Sequence, residues 1–369
     1  MSVKRYEIKS LQKLEVRNML DCRLNVISTL LKQYGITVNP NLLLLCSKKY
    51  GFTYMKTSPS DFGDLKLYLG GTSSFEVEKD ILEAMSIPYE KADLNPSCLN
   101  DYIDKVKNQQ VILYGYDSRF IIDDNYQEKK NKLLNLYSLS LTLIGGCDLE
   151  SNEFDIIFQN EDECTQLRKV PMDKFLQSRV ANTYPIRPSE VTYELKIKKE
   201  ESQFYQDKIY DIQTRGLKKI IKNMLYGAYE EDHIFDGTKS IGMQALYDFY
   251  DDLVNDRNIC ANEDDKKFVI KFSILKEMCI HGSYTCYRQE FGEALSLYNK
   301  LYLNKDINSI KQYINEASIV WRSMVRQLFS VSKYMKEKEI FYNKIIDYVD
   351  KIINLERAYF NELEKIIPI

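Results

Sequence analysis

The chain of 369 residues is long enough for two domains, and its 44% apolar and 28% charged residues are typical of a globular protein. Lys and Arg (51) nearly balance Asp and Glu (54), so the formal net charge is −3 and no nucleic-acid partner is expected. The N-terminus lacks the apolar core of a signal peptide, and no run approaches the roughly 18 apolar residues that cross a bilayer, so we expect a cytoplasmic protein without membrane contact.

The numbers and spacing of cysteine and histidine limit which metal sites and which catalytic bases the chain could contain. The eight cysteines include no C-x-x-C pair, so no metal centre is predicted, and in a reducing cytoplasm they are expected to be free thiols. Only two histidines occur, although histidine is the commonest general base. His281 falls between two predicted helices and His233 in an acidic loop, and both contexts favour a structural or solvated residue. Gly70-Gly71 reads as a loop without a P-loop lysine or Rossmann spacing, so no nucleotide cofactor is implied.

Residues 1 to about 190 read as mixed helix and strand. Apolar residues three or four apart between Leu24 and Leu31 predict a helix that begins near Cys22 and stops at Gly35. The other helices predicted in this half lie at 42–50, 74–85, 97–107 and 171–180. Extended segments are predicted at 52–54, 87–89, 111–116, 139–144 and 154–158. A turn at 145–148 makes 139–158 a hairpin, and 123–132 is expected to be a surface loop.

Beyond a Pro-containing segment at 184–188 the pattern changes. Apart from one short predicted strand at 193–197, the apolar spacing is helical throughout, and proline is nearly absent. The predicted helices are 205–227, 239–255, 262–281, 284–303, 306–335 and 338–366. The second half is therefore predicted to be an all-α domain, and its long apolar helices are compatible with a homodimer.

Cys22 is the residue with the clearest chemical potential. A thiol in the first turn of a helix meets the positive end of the helix dipole and unpaired amides, and both favour the nucleophilic thiolate. The competing interpretation is a small buried residue near a helix start, because free cysteine is among the most buried residue types.

The order of features in the first half matches that of a known family. These features are Cys22 at a helix start, Tyr34-Gly35, the apolar helix before the segment 50–54, the strand ending in Asp117, and the strand running into Gly146-Cys147-Asp148. In this order the chain resembles the papain-like N-terminal domain of the butirosin biosynthesis protein H family. Segments 242–249 and 287–291 resemble the helical domain that follows it in that family.

The resemblance implies acyl transfer. Such proteins take an acyl group from the phosphopantetheine thiol of an acyl carrier protein and deliver it to an amine. A cysteine thiolate forms the acyl-enzyme, an imidazole moves the proton, and a carboxamide or carboxylate orients the ring.

Carried over residue by residue, the family pattern places Cys22 at the nucleophile. Counting back from Gly146 puts Ser140 where the family has its histidine, and no histidine precedes residue 233. The orienting residue is Asn160, or Gln159 if the strand shifts by one. Asp117 and Tyr54 are implied as substrate contacts, although an aspartate at a strand end is as often a turn former.

The sequence therefore predicts an α+β protein, with a papain-like cysteine-peptidase/acyltransferase fold at 1–190 followed by an all-helical domain at 191–369. Two functions remain open. One is acyl transfer from a carrier-protein thioester to a small-molecule amine in specialised-metabolite biosynthesis, through a Cys22 acyl-enzyme and without a cofactor. The other is a catalytically degraded homologue that binds a carrier protein or acyl ligand without turnover. Peptide hydrolysis ranks third, because water is a poor nucleophile without a base.

Overall fold

The computed structural model describes residues 4–12, 22–47, 50–55, 68–72, 76–122, 139–159, 165–183, 186–227, 229–232, 237–281 and 284–367. Numbered in chain order, the strands are β1 (Arg5–Glu7), β2 (Tyr50–Met55), β3 (Tyr68–Thr72), β4 (Tyr89–Lys91), β5 (Ile112–Asp117), β6 (Leu139–Asp148), β7 (Glu153–Gln159), β8 (Thr165–Pro171), β9 (Thr192–Leu195), β10 (Tyr229–Asp232) and β11 (Gly237–Ile241). The helices are α1 (Cys22–Gln33), α2 (Pro40–Cys46), α3 (Val77–Ala84), α4 (Leu99–Lys107), α5 (Arg119–Ile122), α6 (Met172–Val180), α7 (Ser202–Tyr226), α8 (Met243–Ile259), α9 (Asp265–His281), α10 (Tyr284–Tyr298), α11 (Asn308–Leu328) and α12 (Lys338–Ile366). The chain is thus of the α+β class, with antiparallel sheets and a helical C-terminal part.

Two compact units divide the chain, and both are discontinuous in sequence. The α+β unit comprises Met1–Leu43 and Glu76–Ile212, and the helical unit comprises Leu44–Phe75 and Gln213–Ile369. This differs from the predicted division at residue 190. Strand pairing is the physical reason, because β9 lies between β4 and β5 in the sheet of the α+β unit, while β2 pairs with β11 of the helical unit.

The α+β unit is built on one antiparallel sheet in which β6 is central. Its described strands run in the order β4-β9-β5-β6-β7-β8, and β1 also pairs with β6. The first half of β6 pairs with β5, where Ser140 lies opposite Tyr116, and its second half pairs with β1, where Gly146 lies opposite Glu7. The hairpin predicted at 139–158 is confirmed by the pairing of β6 with β7.

The predicted turn at 145–148 is wrong, because β6 continues to Asp148 and the chain turns only at 149–152. The glycines mark a bulge instead, where the register shifts between Ile144 and Gly146. A Cβ on Gly146 would lie 2.9 Å from Asp155 Oδ2 and 3.0 Å from Tyr6 O, so glycine fits the close approach of the three strands without displacing either neighbour.

Helix α1 packs its apolar face on this sheet, against β6, β5 and β7. Leu24, Ile27, Leu30 and Leu31 are fully buried, as their helical spacing predicts. Gly35 ends the helix with φ +83°, and Ile36 N donates to Leu31 O at 3.1 Å, which is the expected glycine stop.

The helical unit contains a second antiparallel sheet, in the order β10-β11-β2-β3, so the prediction of an all-α second domain is wrong. Two predicted features differ here. Gly70 and Gly71 lie in β3, paired with β2, because glycine accepts strand geometry where a partner strand supplies the hydrogen bonds. The helix predicted at 239–255 begins only at Met243, since 237–241 pairs with β2 and β10 as β11.

Gly242 makes the turn from β11 into α8. Its φ is +67°, and a Cβ there would collide with Asn223 O, so the close approach of α7 requires glycine. Its N–H donates to Phe52 O at 2.8 Å, which ties the turn to β2.

The remaining helices form the core of the helical unit. Helix α12 packs along both α8 and α11, and Trp321 of α11 is fully buried with its ring 5.4 Å from that of Phe52. The predicted helix at 338–366 is confirmed in full. The segment at 123–132, predicted to be a surface loop, lies outside the described residues.

Candidate functional site

Cys22 is the first residue of α1, as its predicted role requires. Its side chain lies outside the described part of the chain. The twelve-residue helix directs its N-terminal amides and the positive end of its dipole toward this position. The backbone therefore offers Cys22 a setting that stabilises a thiolate.

A buried ion pair holds the first turn of α1. The Arg23 guanidinium donates to Glu78, in the first turn of α3, and the side-chain exposures are 17% and 0%. Burial raises the pKa of Glu78, and the nearby Arg23 charge opposes that rise. Sequence reasoning missed this pair, since the two residues are 55 positions apart. The pair attaches the residue next to Cys22 to a neighbouring helix.

Ser140 is the second residue of β6 and is half-buried. It lies opposite Tyr116, one position from the end of β5. Two residues further along β6, Thr142 is fully buried and donates to Ile157 O of β7 at 2.8 Å. Ser140 thus lies toward the N-terminal end of the strand on which α1 packs, but its hydroxyl is neither an acid nor a base near neutral pH.

Asp117 is the last residue of β5, and its fully buried carboxylate is bound by Arg119. Arg119 Nε lies 2.9 Å from Oδ1, Arg119 Nη2 lies 2.6 Å from Oδ2, and the Arg119 backbone N–H donates to Oδ1 at 3.0 Å. These contacts close the turn from β5 into α5. The turn-forming interpretation accounts for them, and a substrate amine would have to compete with Arg119.

The predicted orienting residue falls at the end of β7. Asn160 lies outside the described residues, while the alternative, Gln159, is the last residue of β7 and pairs with Thr165 of β8. β7 neighbours β6 in the sheet, so the predicted third member follows the strand adjacent to that of Ser140.

Tyr54 belongs to the helical unit, whereas Ser140 and Asp117 belong to the α+β unit. Its side chain is buried, its ring lies 5.6 Å from that of Phe249, and its hydroxyl donates to Asp252 Oδ2 at 2.5 Å. Burial is the main cause that raises the pKa of the phenol, and the hydrogen bond to Asp252 raises it further, so Tyr54 stays neutral. Its contacts are those of a core residue in β2 packed on α8.

The remaining metal-ligating and nucleophilic side chains add little to this site. Among the described residues, no group of His, Cys, Asp or Glu side chains is arranged to hold a metal ion. His233 lies outside the described residues, and His281 ends α9 with a side chain that is likewise not described. Burial raises the pKa of Cys46 to about 12. Burial is also the largest cause that raises the pKa of Cys147 to about 11. Both thiols are therefore inert near neutral pH.

No protein-family model and no curated protein matches this chain. Its membership of a family is therefore a proposal. In the described part of the chain, no helix has both the length and the apolar character needed to cross a membrane.

Proposed function

We propose that the α+β unit is a papain-like domain of the butirosin biosynthesis protein H type. In this proposal it moves an acyl group from the phosphopantetheine thioester of an acyl carrier protein to an amine. One observation carries the proposal: α1 begins at Cys22 and packs on β6, the strand that bears Ser140 near its start. A nucleophile at a helix N-terminus beside a central antiparallel strand is the arrangement that papain-like acyl transfer uses.

The reaction has two steps at Cys22. Its thiolate attacks the thioester carbonyl, a new C–S bond forms, and the carrier thiol leaves. The amine then attacks the acyl-enzyme, the C–S bond to Cys22 breaks, and an amide forms. Exchange between thioesters is nearly isoenergetic, so aminolysis gives the reaction its direction. Without an imidazole, the ammonium proton passes to solvent or to a second amine.

A second candidate function is acyl or carrier-protein binding without turnover. Ser140 favours it, because the loss of a positioned general base typically costs about 10²–10⁴ in rate. The two candidates differ in whether Cys22 forms a covalent acyl adduct.

We expect an acyl adduct on Cys22 when the full chain is incubated with an acyl-pantetheine thioester and examined by intact mass. Cys22→Ala should abolish the adduct, and an added amine should discharge it. Cys98→Ser is the matched control, because Cys98 is a half-exposed thiol at the N-cap of α4 and should leave the adduct unchanged. Carrier-protein binding without any adduct would replace the transferase with the binding function.

Restoring the base is expected to activate the thiol. Ser140→His should raise the rate of Cys22 alkylation by iodoacetamide at neutral pH about tenfold, because an imidazolium partner lowers the pKa of a cysteine. Leu139→His is the control, since adjacent strand residues point to opposite faces and the imidazole would then lie on the wrong one. Equal rates in the two variants would show that Ser140 does not face Cys22.

A further inference from the structure

A groove of about 710 Å³ lies between α10 and α11 in the helical unit. Its lining residues recur every three or four positions from Gln289 to Lys300 on one side and from Lys311 to Arg322 on the other. Each wall is therefore one continuous helix face. The α10 wall runs into a π-helical turn, Asn299–Leu303, and such turns are frequent at functional sites.

Two lysines, Lys300 of the α10 wall and Lys311 of the α11 wall, line one end of this groove. Helices α10 and α11 pack along each other, and a short connection at 304–307 joins them, so they run antiparallel. Arg322 Nη2 donates to Gln289 Oε1 across the pair at 2.8 Å. Lys300 is eleven residues after Gln289 and Lys311 is eleven before Arg322, which places the lysines on opposite walls.

The charge of the groove is incompletely balanced. Within the described ranges, Lys300, Lys311 and Arg322 form no ion pair with any carboxylate. One carboxylate, Glu293, lines the groove in its middle part, so the lining carries a surplus of positive charge. Like charges on opposite walls of one groove repel, and a bound anion would relieve that repulsion.

The middle of the groove offers a buried polar atom and apolar walls. Ser318 is 5% exposed, and its Oγ has no hydrogen-bond partner among the described residues. An unpartnered buried hydroxyl is costly and uncommon, so a polar ligand atom at this point would be favourable. Leu297 and Ile319 line the same stretch with aliphatic surface, and Ile319 is 61% exposed.

We propose that this groove binds a soluble small molecule that carries a phosphate monoester on a short aliphatic chain. The phosphate lies between Lys300 and Lys311, since lysine binds phosphate as a point charge. The chain covers Leu297 and Ile319, and Ser318 Oγ donates to a polar atom of the ligand. The site uses no residue of the proposed acyl-transfer chemistry and stands independently of it.

Titration calorimetry of the full chain with n-hexyl phosphate at low salt tests the site. Binding is expected, and the double variant Lys300→Met/Lys311→Met should weaken it at least about tenfold, because two charge-assisted contacts are lost. Ser318→Ala should weaken it by about three- to tenfold. The wild-type affinity should also fall as salt is raised, because the lysines are exposed and screened.

Lys305→Met is the matched control, because Lys305 is an exposed lysine in the connecting segment that does not line the groove. It should bind n-hexyl phosphate like the wild type. The double variant should unfold no earlier than the wild type, since it removes a repulsion. If it unfolds earlier, Lys300→Gln and Lys311→Gln, measured singly, replace it and should each weaken binding.

Three results would overturn the proposal. One is equal affinity of the wild type and the charge variants for n-hexyl phosphate. Another is equally tight binding of inorganic phosphate, which would mean a simple anion site without a role for the aliphatic walls. The third is sedimentation with phosphatidic acid vesicles without binding of n-hexyl phosphate, which would assign the lysines to a lipid surface.

Discussion

Arg179→Met is expected to lower the free energy of unfolding of the α+β unit by about 3–5 kcal/mol. Arg179 is fully buried at the end of α6. Its guanidinium donates to several acceptors: Gly115 O of β5, Pro188 O at 2.5 Å, Val191 O at 3.1 Å, Thr192 Oγ1 of β9 at 2.5 Å and Tyr102 OH of α4 at 3.1 Å. One side chain thus joins the segment 188–192 to the sheet and to two helices.

The large cost follows from what methionine leaves behind. It fills a similar volume but donates nothing, so buried carbonyl oxygens lose their partner without gaining water. Arg168→Met is the matched control, because Arg168 is half-buried in β8, stacks over Phe158 at 4.7 Å and should lose less than about 1 kcal/mol. Urea denaturation followed by far-UV circular dichroism measures both variants. Equal losses would show that the buried guanidinium does not hold the α+β unit together.

Arg288→Met is expected to lower the free energy of unfolding of the helical unit by about 3–5 kcal/mol, because it leaves a buried charge without its partner. Arg288 Nε donates to Glu356 Oε1 at 2.7 Å, and both side chains are fully buried. Trp321 Nε1, at 3.4 Å, and Tyr359 OH, at 2.5 Å, also donate to this carboxylate. The arginine further lies 4.1 Å from the ring centre of Phe52, so its loss also removes a cation–π contact.

A double-mutant cycle separates the pair from its desolvation cost. Arg288→Met/Glu356→Leu removes both charges and should recover most of the stability lost in Arg288→Met. Arg257→Met is the control, since Arg257 is half-buried, donates to Asn343 Oδ1 at 3.1 Å and should cost less than about 1 kcal/mol. Strictly additive effects of the two core substitutions, measured by urea denaturation, would show that the pair is not coupled.

Local elements were predictable wherever one apolar face decides them. Helices α1, α4, α6 and α12 follow from residues three or four apart and from clear ends such as Gly35, although α4 begins two residues and α6 one residue later than predicted. The β6–β7 hairpin also followed from two apolar runs near each other in sequence. The turns predicted from glycines at 70–71 and at 145–146 are strand residues in the structure, because a glycine in a strand has the same sequence signature as one in a turn.

The candidate site was predictable only in part. The sequence alone placed Cys22 at a helix start and Ser140 on a strand, and both positions agree with the structure. It did not reveal that Arg23 pairs with Glu78, that Arg119 occupies Asp117, or that Tyr54 belongs to the core of the helical unit. The Arg23–Glu78 pair and the surroundings of Tyr54 depend on how distant helices and strands pack, whereas the Arg119–Asp117 contact is local and follows from the turn after β5.

The sequence by itself determined the α+β class, the helical C-terminal part, the thiol at the start of α1 and the absence of a histidine before residue 233, because these are properties of composition and short-range periodicity. Only the tertiary structure decided that β2 and β3 join the helical unit, that β9 completes the other sheet, and that Lys300 and Lys311 line the same groove. Strand pairing and helix packing join residues far apart in the chain, and no local pattern encodes which distant segment will supply the partner.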